Sequence, residues 1–318
     1  MTSPLGRHDI DAAATRIAGR IRRTPVLDPG EGAFGQAERV VLKLEYLQHA
    51  GSFKTRGAFN ALLSGGVPTA GIAAASGGNH GAAVAYAARE VGHSARIFVP
   101  EIASAAKIAL IRRCGAEIVI GGARYADAQE ACDAYVAETG AKLVHPFSSL
   151  ETMAGQGSVA REWDEQTPDL DTVLVAVGGG GLVSGMSAWW AGEGRRVRVV
   201  GVEPEGSRAL HAAFEAGGPV DVEVNSVAAD SLGARNVGQL VYEVAKAGLD
   251  HVALVPDEAI REAQRLLWRD VRVAAEPGGA AAMAAILCGA YRPRPGERVG
   301  VLLCGANIDA RGLSEIAA

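Results

Sequence analysis

The chain has 318 residues, 48% of them hydrophobic, which is too much for one small core and suits an α/β protein of two compact lobes or one large one. A formal net charge of −5 argues against nucleic acid as a bulk partner, and the one local basic cluster, Arg20, Arg22 and Arg23, reads as solvated charge at a helix end. No stretch approaches the ~20 apolar residues of a membrane span, the opening MTSPLGRHDI has no apolar signal core, and Cys114, Cys132, Cys288 and Cys304 form no CxxC pair, so the expectation is a soluble cytoplasmic protein with reduced thiols and no metal site.

In chain order, a helix is predicted over 8–22, with Ile10, Ile17 and Ile21 near one face and Thr24-Pro25 ending it. Residues 40–44 read as a strand, a glycine-bearing loop follows at Ala50-Gly51-Ser52, and a helix starts near Lys54. Short apolar runs then alternate with helical patterns: strand 72–75, Ala-rich helix 79–91, strand 96–99, helix 104–114 stopped by Gly115, strand 118–120, helix 126–138 and strand 143–144. The second half repeats the alternation. Strand 173–177 is apolar throughout, and four glycines lead into a helix ending near Ala191. Strands 197–202 and 252–255, helices 257–269 and 279–287, and strand 299–303 complete it. The pattern predicts an α/β fold with largely parallel sheets, two rather than one at this length. No Pro- or Ser-rich linker separates them, so the lobes are expected to interleave in sequence.

Three glycine-rich loops follow predicted strands, where α/β proteins bind ligands. In Gly178-Gly179-Gly180-Gly181-Leu182, backbone N–H groups and a helix N-terminus offer positive potential to an anion. Val183 replaces the third glycine of the dinucleotide fingerprint, and Leu182-Val183 replaces the Walker Lys-Ser or Lys-Thr. A tight strand-to-helix turn needs fewer glycines, so a cradle for a single phosphate is favoured over a plain turn. In Ser76-Gly77-Gly78-Asn79-His80-Gly81, a hydroxyl and N–H groups at a helix start suit a carboxylate, while Asn79 serves equally well as an ordinary N-cap. Lys54, behind Phe53, is by itself an ordinary solvated loop lysine. Beside a phosphate loop and a carboxylate loop it completes a site for an aldehyde cofactor with a phosphate tail. A lysine amine forms a Schiff base when a desolvated, cation-rich site lowers its pKa.

The segment from Leu44-Glu45 to Gly57 resembles the lysine motif of the fold-type II pyridoxal-phosphate enzymes, in the branch of serine/threonine dehydratases (threonine ammonia-lyases) and serine racemases. Ser76 to Gly81 resembles that family's substrate loop, Gly178 to Gly181 its phosphate loop, and Leu303-Cys304-Gly305-Ala306-Asn307 the segment that meets the pyridine nitrogen. Arg23-Thr24-Pro25, His145-Pro146 and Val202-Glu203-Pro204 are lesser echoes, and the match runs through nearly the whole chain in the family's order. The resemblance implies pyridoxal 5'-phosphate as cofactor and a tryptophan synthase β-like fold of two interleaved three-layer α/β lobes. The large cofactor-binding domain is expected at 1–48 plus 147–318, and the small domain with the lysine and substrate loop at 49–146. It implies a homodimer acting on a small amino acid.

By the same resemblance, Lys54 holds the cofactor as a Schiff base and removes the substrate's Cα proton. Phe53 packs on the ring, Asn79 bonds the ring's 3-oxygen, and the backbone of Gly178, Gly179, Gly180, Gly181 and Leu182 binds the phosphate. Ser76, Gly77 and His80 meet the substrate carboxylate. Cys304, otherwise a core cysteine, stands at the ring nitrogen, where a thiol cannot hold a proton as a carboxylate would. The weaker electron sink favours prompt loss of a β-substituent. Departures matter too. Racemases of the branch carry a serine where this chain has Gly77, which disfavours racemisation. Their metal-binding aspartate is replaced by Ala209, leaving Glu203 to cap or pair. With few residues after Asn307, no regulatory domain of the kind in feedback-inhibited threonine deaminases is expected.

The expected reaction is dehydration of serine or threonine, followed by hydrolysis of the resulting imine to a 2-oxo acid and ammonia. The alternatives are racemisation, β-replacement, or dehydration of 3-hydroxyaspartate or phenylserine. From a different class come a nicotinamide- or nucleotide-binding α/β protein and a non-catalytic metabolite-binding module. Phe147, Ser148 and Ala229 to Gly233 are expected to line the side-chain pocket.

Overall fold

The computed structural model describes residues 3–36, 38–191 and 197–317; Met1 and Thr2 of the N-terminal stretch lie outside them. The chain opens with α1 (Arg7–Ile17), β1 (Val26–Leu27), β2 (Val40–Lys43) and α2 (Lys54–Leu63). It continues with β3 (Ile72–Ala75), α3 (Asn79–Glu90), β4 (Ala95–Val99), α4 (Ala105–Arg113), β5 (Glu117–Ile120), α5 (Tyr125–Thr139) and β6 (Lys142–Leu143). Then come α6 (Leu150–Gln166), β7 (Thr172–Ala176), α7 (Gly181–Trp190), β8 (Arg198–Pro204), α8 (Ala209–Ala216), α9 (Ala229–Leu232) and α10 (Gln239–Gly248). The last are β9 (His251–Val255), α11 (Asp257–Val271), α12 (Pro277–Leu287), β10 (Val299–Leu302) and α13 (Ala310–Ala317).

Two sheets result. Six strands in the order β1-β2-β10-β7-β8-β9 form one, and four in the order β5-β4-β3-β6 form the other. All pairs are parallel except β1 with β2. The smaller sheet is one continuous stretch of chain, and the larger takes strands from both sides of it, so the lobes interleave. Fully apolar strands follow from helices covering both faces. Val173 to Val177 are buried among α7, α12 and Trp163 of α6. Ile72, Ala74 and Ile97 pack under α2 and α3, while Ala73, Ala75 and Phe98 pack on Ala128 and Cys132 of α5.

One helix boundary needs correction. The first helix ends at Ile17, not Arg22, because Gly19 takes φ +76° and turns the chain before Thr24-Pro25 is reached. Arg20, Arg22 and Arg23 therefore lie beyond it, and Arg23 pairs with Glu165. The alternation pattern also passes over the long helix α6, along with α8, α9, α10 and α13. The glycines of α6 are not breakers. A Cβ at Gly155 would stand 2.7 Å from the Arg56 carbonyl oxygen, and one at Gly157 2.7 Å from that of Gly185, so both let α6 press against α2 and α7.

Beneath α2 lies a balanced quartet of buried charges. Arg56 Nε meets Glu45 Oε1 at 2.6 Å and its Nη2 meets Glu162 Oε2 at 3.0 Å, while Lys43 Nζ meets Glu162 Oε1 at 2.5 Å. Each charge has an opposite partner, which buried ions require. The quartet ties the helix that begins at Lys54 to β2 of the larger sheet and to α6.

Candidate active site

Lys54 owes its position to a pinned approach. Ala50 at φ +57° and Gly51 at φ +74° turn the chain, Ser52 bridges Gly305, and the Phe53 N–H donates to the Cys304 carbonyl at 3.0 Å. Helix α2 then starts, and Lys54 Nζ donates to the Pro146 carbonyl at 2.7 Å, 5.1 Å from the Phe53 ring centroid. Burial pulls its ammonium down to about 8, so the free amine is accessible near neutral pH. His145 shapes this turn. Its Nδ1 accepts the N–H of Phe147 at 3.2 Å and of Ser148 at 2.8 Å, and burial with the nearby Lys54 charge holds it down to about 4. A neutral His145 thus aims the Pro146 carbonyl at the amine.

Two helix N-termini lie close by. In α7 the first helical bond runs from the Ser184 N–H to the Gly180 carbonyl, so the N–H groups of Gly181, Leu182 and Val183 precede the ladder. The turn tolerates only glycine. Gly180 takes φ +79°, and a Cβ at Gly181 would stand 2.7 Å from the Phe147 carbonyl oxygen. Gly179 lies directly against the Phe147 ring, and a Cβ at Gly178 would stand 2.8 Å from Leu232 Cα. In α3 the ladder starts with the Ala82 N–H on the Gly78 carbonyl, leaving those of Asn79, His80 and Gly81 at the helix end. Ser76 Oγ accepts the Gly78 N–H at 3.2 Å. A Cβ at Gly77 would stand 2.7 Å from the Ala103 methyl.

His80 differs from its expected part. Its ring is buried, Nε2 bonds the Val144 carbonyl at 2.8 Å, and burial drives it down to about 3. The neutral imidazole offers no charge to a carboxylate; what remains is the His80 backbone N–H at the helix start. Cys304 is buried, with Sγ 3.6 Å from the Gly278 carbonyl oxygen, and burial pushes its thiol up to about 12. Asn79 is not a mere N-cap: it is the first residue of α3, its Nδ2 donates to Glu276 Oε1 at 2.5 Å, and its Oδ1 accepts from Asn307 at 2.7 Å. Lys107 of α4 pairs with Asp230 of α9 beside Gly78. Sequence reasoning missed Glu276, Lys107 and the Pro146 carbonyl. The acid-then-proline at the start of α12 was the available signal for the first.

Among the described residues no group of three or more His, Cys, Asp or Glu is placed to hold a metal ion, and no helix is long and apolar enough to cross a membrane. Glu203 caps α8: its two carboxylate oxygens accept the N–H groups of Leu210 at 2.9 Å and His211 at 2.8 Å.

A family model described as pyridoxal-phosphate dependent enzyme matches residues 17–305. The chain belongs to the pyridoxal-phosphate dependent enzymes. A phenylserine dehydratase from Ralstonia pickettii is 40% identical, over 95% of this chain and 94% of that one. An L-threonine ammonia-lyase from Thermotoga maritima is 34% identical, over 97% and 77%. The solved structure of maize serine racemase superposes with a TM-score of 0.90 at 32% identity, covering 98% of this chain and 96% of that one.

The pyridoxal-phosphate group fits what this chain provides. The amine with lowered pKa suits an aldehyde, and the all-glycine turn at the start of α7, which a side chain would block, suits a phosphate.

Proposed function

We propose that this enzyme dehydrates a small β-hydroxy amino acid, serine or threonine, and that water hydrolyses the imine so formed to a 2-oxo acid and ammonia. The observation that carries the reading is the lowered-pKa amine of Lys54, held by the Pro146 carbonyl between two open helix N-termini. When bound, pyridoxal phosphate supplies an aldehyde for amines and a ring that takes up the electron pair left at Cα. Lys54 Nζ is the base that takes the Cα proton. The N–H groups of Gly181 and Leu182, with the turn from Gly178 to Gly180, bind the phosphate. Ser76 and the N–H groups around Gly77 and His80 bind the substrate carboxylate. Phe53 and Asn79 orient the ring. Cys304, whose thiol burial pushes up to about 12, has no carboxylate with which to hold a proton at the ring nitrogen; a bound cofactor would there be a weaker electron sink, which would favour prompt loss of a β-substituent.

Phe147 supports a second reading. Its ring lies on Gly179, one residue from the carbonyl that holds Lys54. An apolar wall there suits an aryl β-substituent, as the name of the phenylserine dehydratase relative also suggests. Racemisation is disfavoured, because the Ala103 methyl occupies the room a side chain at position 77 would need.

The division into 1–48 plus 147–318 and 49–146 is part of the same proposal, as are a homodimer and a cytoplasmic setting, the last supported by four unpaired cysteines. The decisive experiment reduces the protein reconstituted with pyridoxal phosphate with borohydride, maps the label, and assays 2-oxo acid and D-amino acid from serine, threonine and phenylserine. The expected result is label on Lys54, 2-oxo acid as the product, and no turnover by Lys54→Ala. Label elsewhere, or a K54A variant of near-normal rate, removes the reading.

A further inference from the structure

Glu276 is a buried carboxylate to which neither its sequence context nor the reaction above gives a task. It stands at the N-cap of α12, where an acidic side chain ordinarily accepts an N–H of its own first turn. It makes no such bond. The side chain turns instead across the cleft between the lobes and accepts the Asn79 Nδ2 proton at 2.5 Å. Burying a carboxylate is costly unless its hydrogen bonds are specific, and at 4% exposure this one is out of solvent.

The other end of the Asn79 amide is fixed as well. Asn307 Nδ2 donates to Asn79 Oδ1 at 2.7 Å and to the Ala50 carbonyl at 2.8 Å. Flipping the amide would set Asn79 Oδ1 against the Glu276 oxygen and Asn79 Nδ2 against the Asn307 amine. Both contacts would then be like with like. The amide is therefore locked, with one Nδ2 proton spent on Glu276 and the second left over. Glu276 also lies against Gly305, the neighbour of Cys304, so the lock sits beside the residue expected at the ring nitrogen.

We infer that Glu276 is a positioning residue: by accepting one Asn79 proton and excluding the flipped amide, it aims the other at the cofactor ring's 3-oxygen. The inference rests on the proposal that Asn79 meets that oxygen. A hydrogen bond to the ring oxygen changes the electronic state of the bound cofactor, so the readout is optical as well as kinetic.

The test is a double-mutant cycle on the full chain reconstituted with pyridoxal phosphate, reading the dissociation constant and the absorption band of the bound cofactor. Asn79→Ala should weaken binding about tenfold, the scale of one hydrogen bond, and shift the band. Glu276→Ala should shift the band the same way, and the double variant should bind no worse than about twofold below N79A alone. Glu276→Gln retains a carbonyl acceptor and should restore the wild-type band. Should E276A fail to fold, Glu276→Asp, whose oxygens are withdrawn by one carbon, should give the same shift. An N79A protein with unaltered band and affinity would sink the ring contact itself. An altered N79A with an unaltered E276A or E276D, or with losses that multiply in the double variant, would sink the role of Glu276 alone.

Discussion

Lys54 occupies its place at a cost that can be measured. Burial lowers its pKa from 10.5 to about 8. At 1.36 kcal/mol per pKa unit, that shift corresponds to about 3 kcal/mol lost by the folded apoprotein wherever the unfolded lysine is charged. Replacing Lys54 with Met fills similar volume without charge and forgoes the bond to Pro146, worth about 1 kcal/mol. The K54M apoprotein should therefore be more stable than wild type by about 2 kcal/mol at pH 7. The sign with pH is fixed. The folded-state pKa is depressed, so the penalty is full below pH 8, fades as pH rises from 8 to 10.5, and is gone above 10.5. Urea unfolding of both apoproteins at pH 7 and near pH 10.5 reads the difference, since other titrating groups are common to the pair and cancel. A K54M protein less stable than wild type at pH 7, or a gain that survives undiminished at high pH, would refute the reasoning.

Capture of pyridoxal phosphate by the apoprotein should accelerate about tenfold per pH unit below pH 8 and level off above it, because only the neutral amine reacts; stopped-flow absorbance reads the profile, and a rate still climbing at pH 10 contradicts it. Gly181→Ala should bind the cofactor at least ~10-fold more weakly while still folding, since its Cβ meets the backbone of Phe147, which has little room to give; fluorescence titration measures the loss. Gly77→Ser should lose dehydration rate through its contact with Ala103, and Gly77→Ser with Ala103→Gly should recover that rate and form D-amino acid, read by chiral chromatography. Phe147→Ala should lower kcat/KM for phenylserine by ~10-fold or more and leave serine within ~3-fold, a split that steady-state assays on both substrates resolve.

What was legible in the sequence is what local chemistry dictates. The unbroken apolar run of β7 announces burial on both faces, and the four glycines after it announce a backbone left bare for an anion. The start of α2 at Lys54 and the limits of β3 follow from the loop chemistry around them. What stayed hidden depends on partners far away in the chain. Nothing near Gly155 and Gly157 marks them as contact points, and only the backbones of α2 and α7 lying against them show why they are glycine. His80 looks like a carboxylate ligand until the Val144 carbonyl takes its nitrogen. Glu276 is one acid among many until Asn79, 197 positions away, is found on its oxygen.

The quartet of Lys43, Glu45, Arg56 and Glu162 has a practical corollary for anyone following this protein's unfolding. Arg56 sits half a helical turn from Lys54, so the bolt that fastens the two sheets together also carries the amine proposed to hold the yellow cofactor. Slippage of one lobe against the other must tug on that amine while the helices are still intact. Fading of the yellow should thus run ahead of the far-ultraviolet signal on heating, and the bleaching curve becomes a gauge of how firmly the halves are joined.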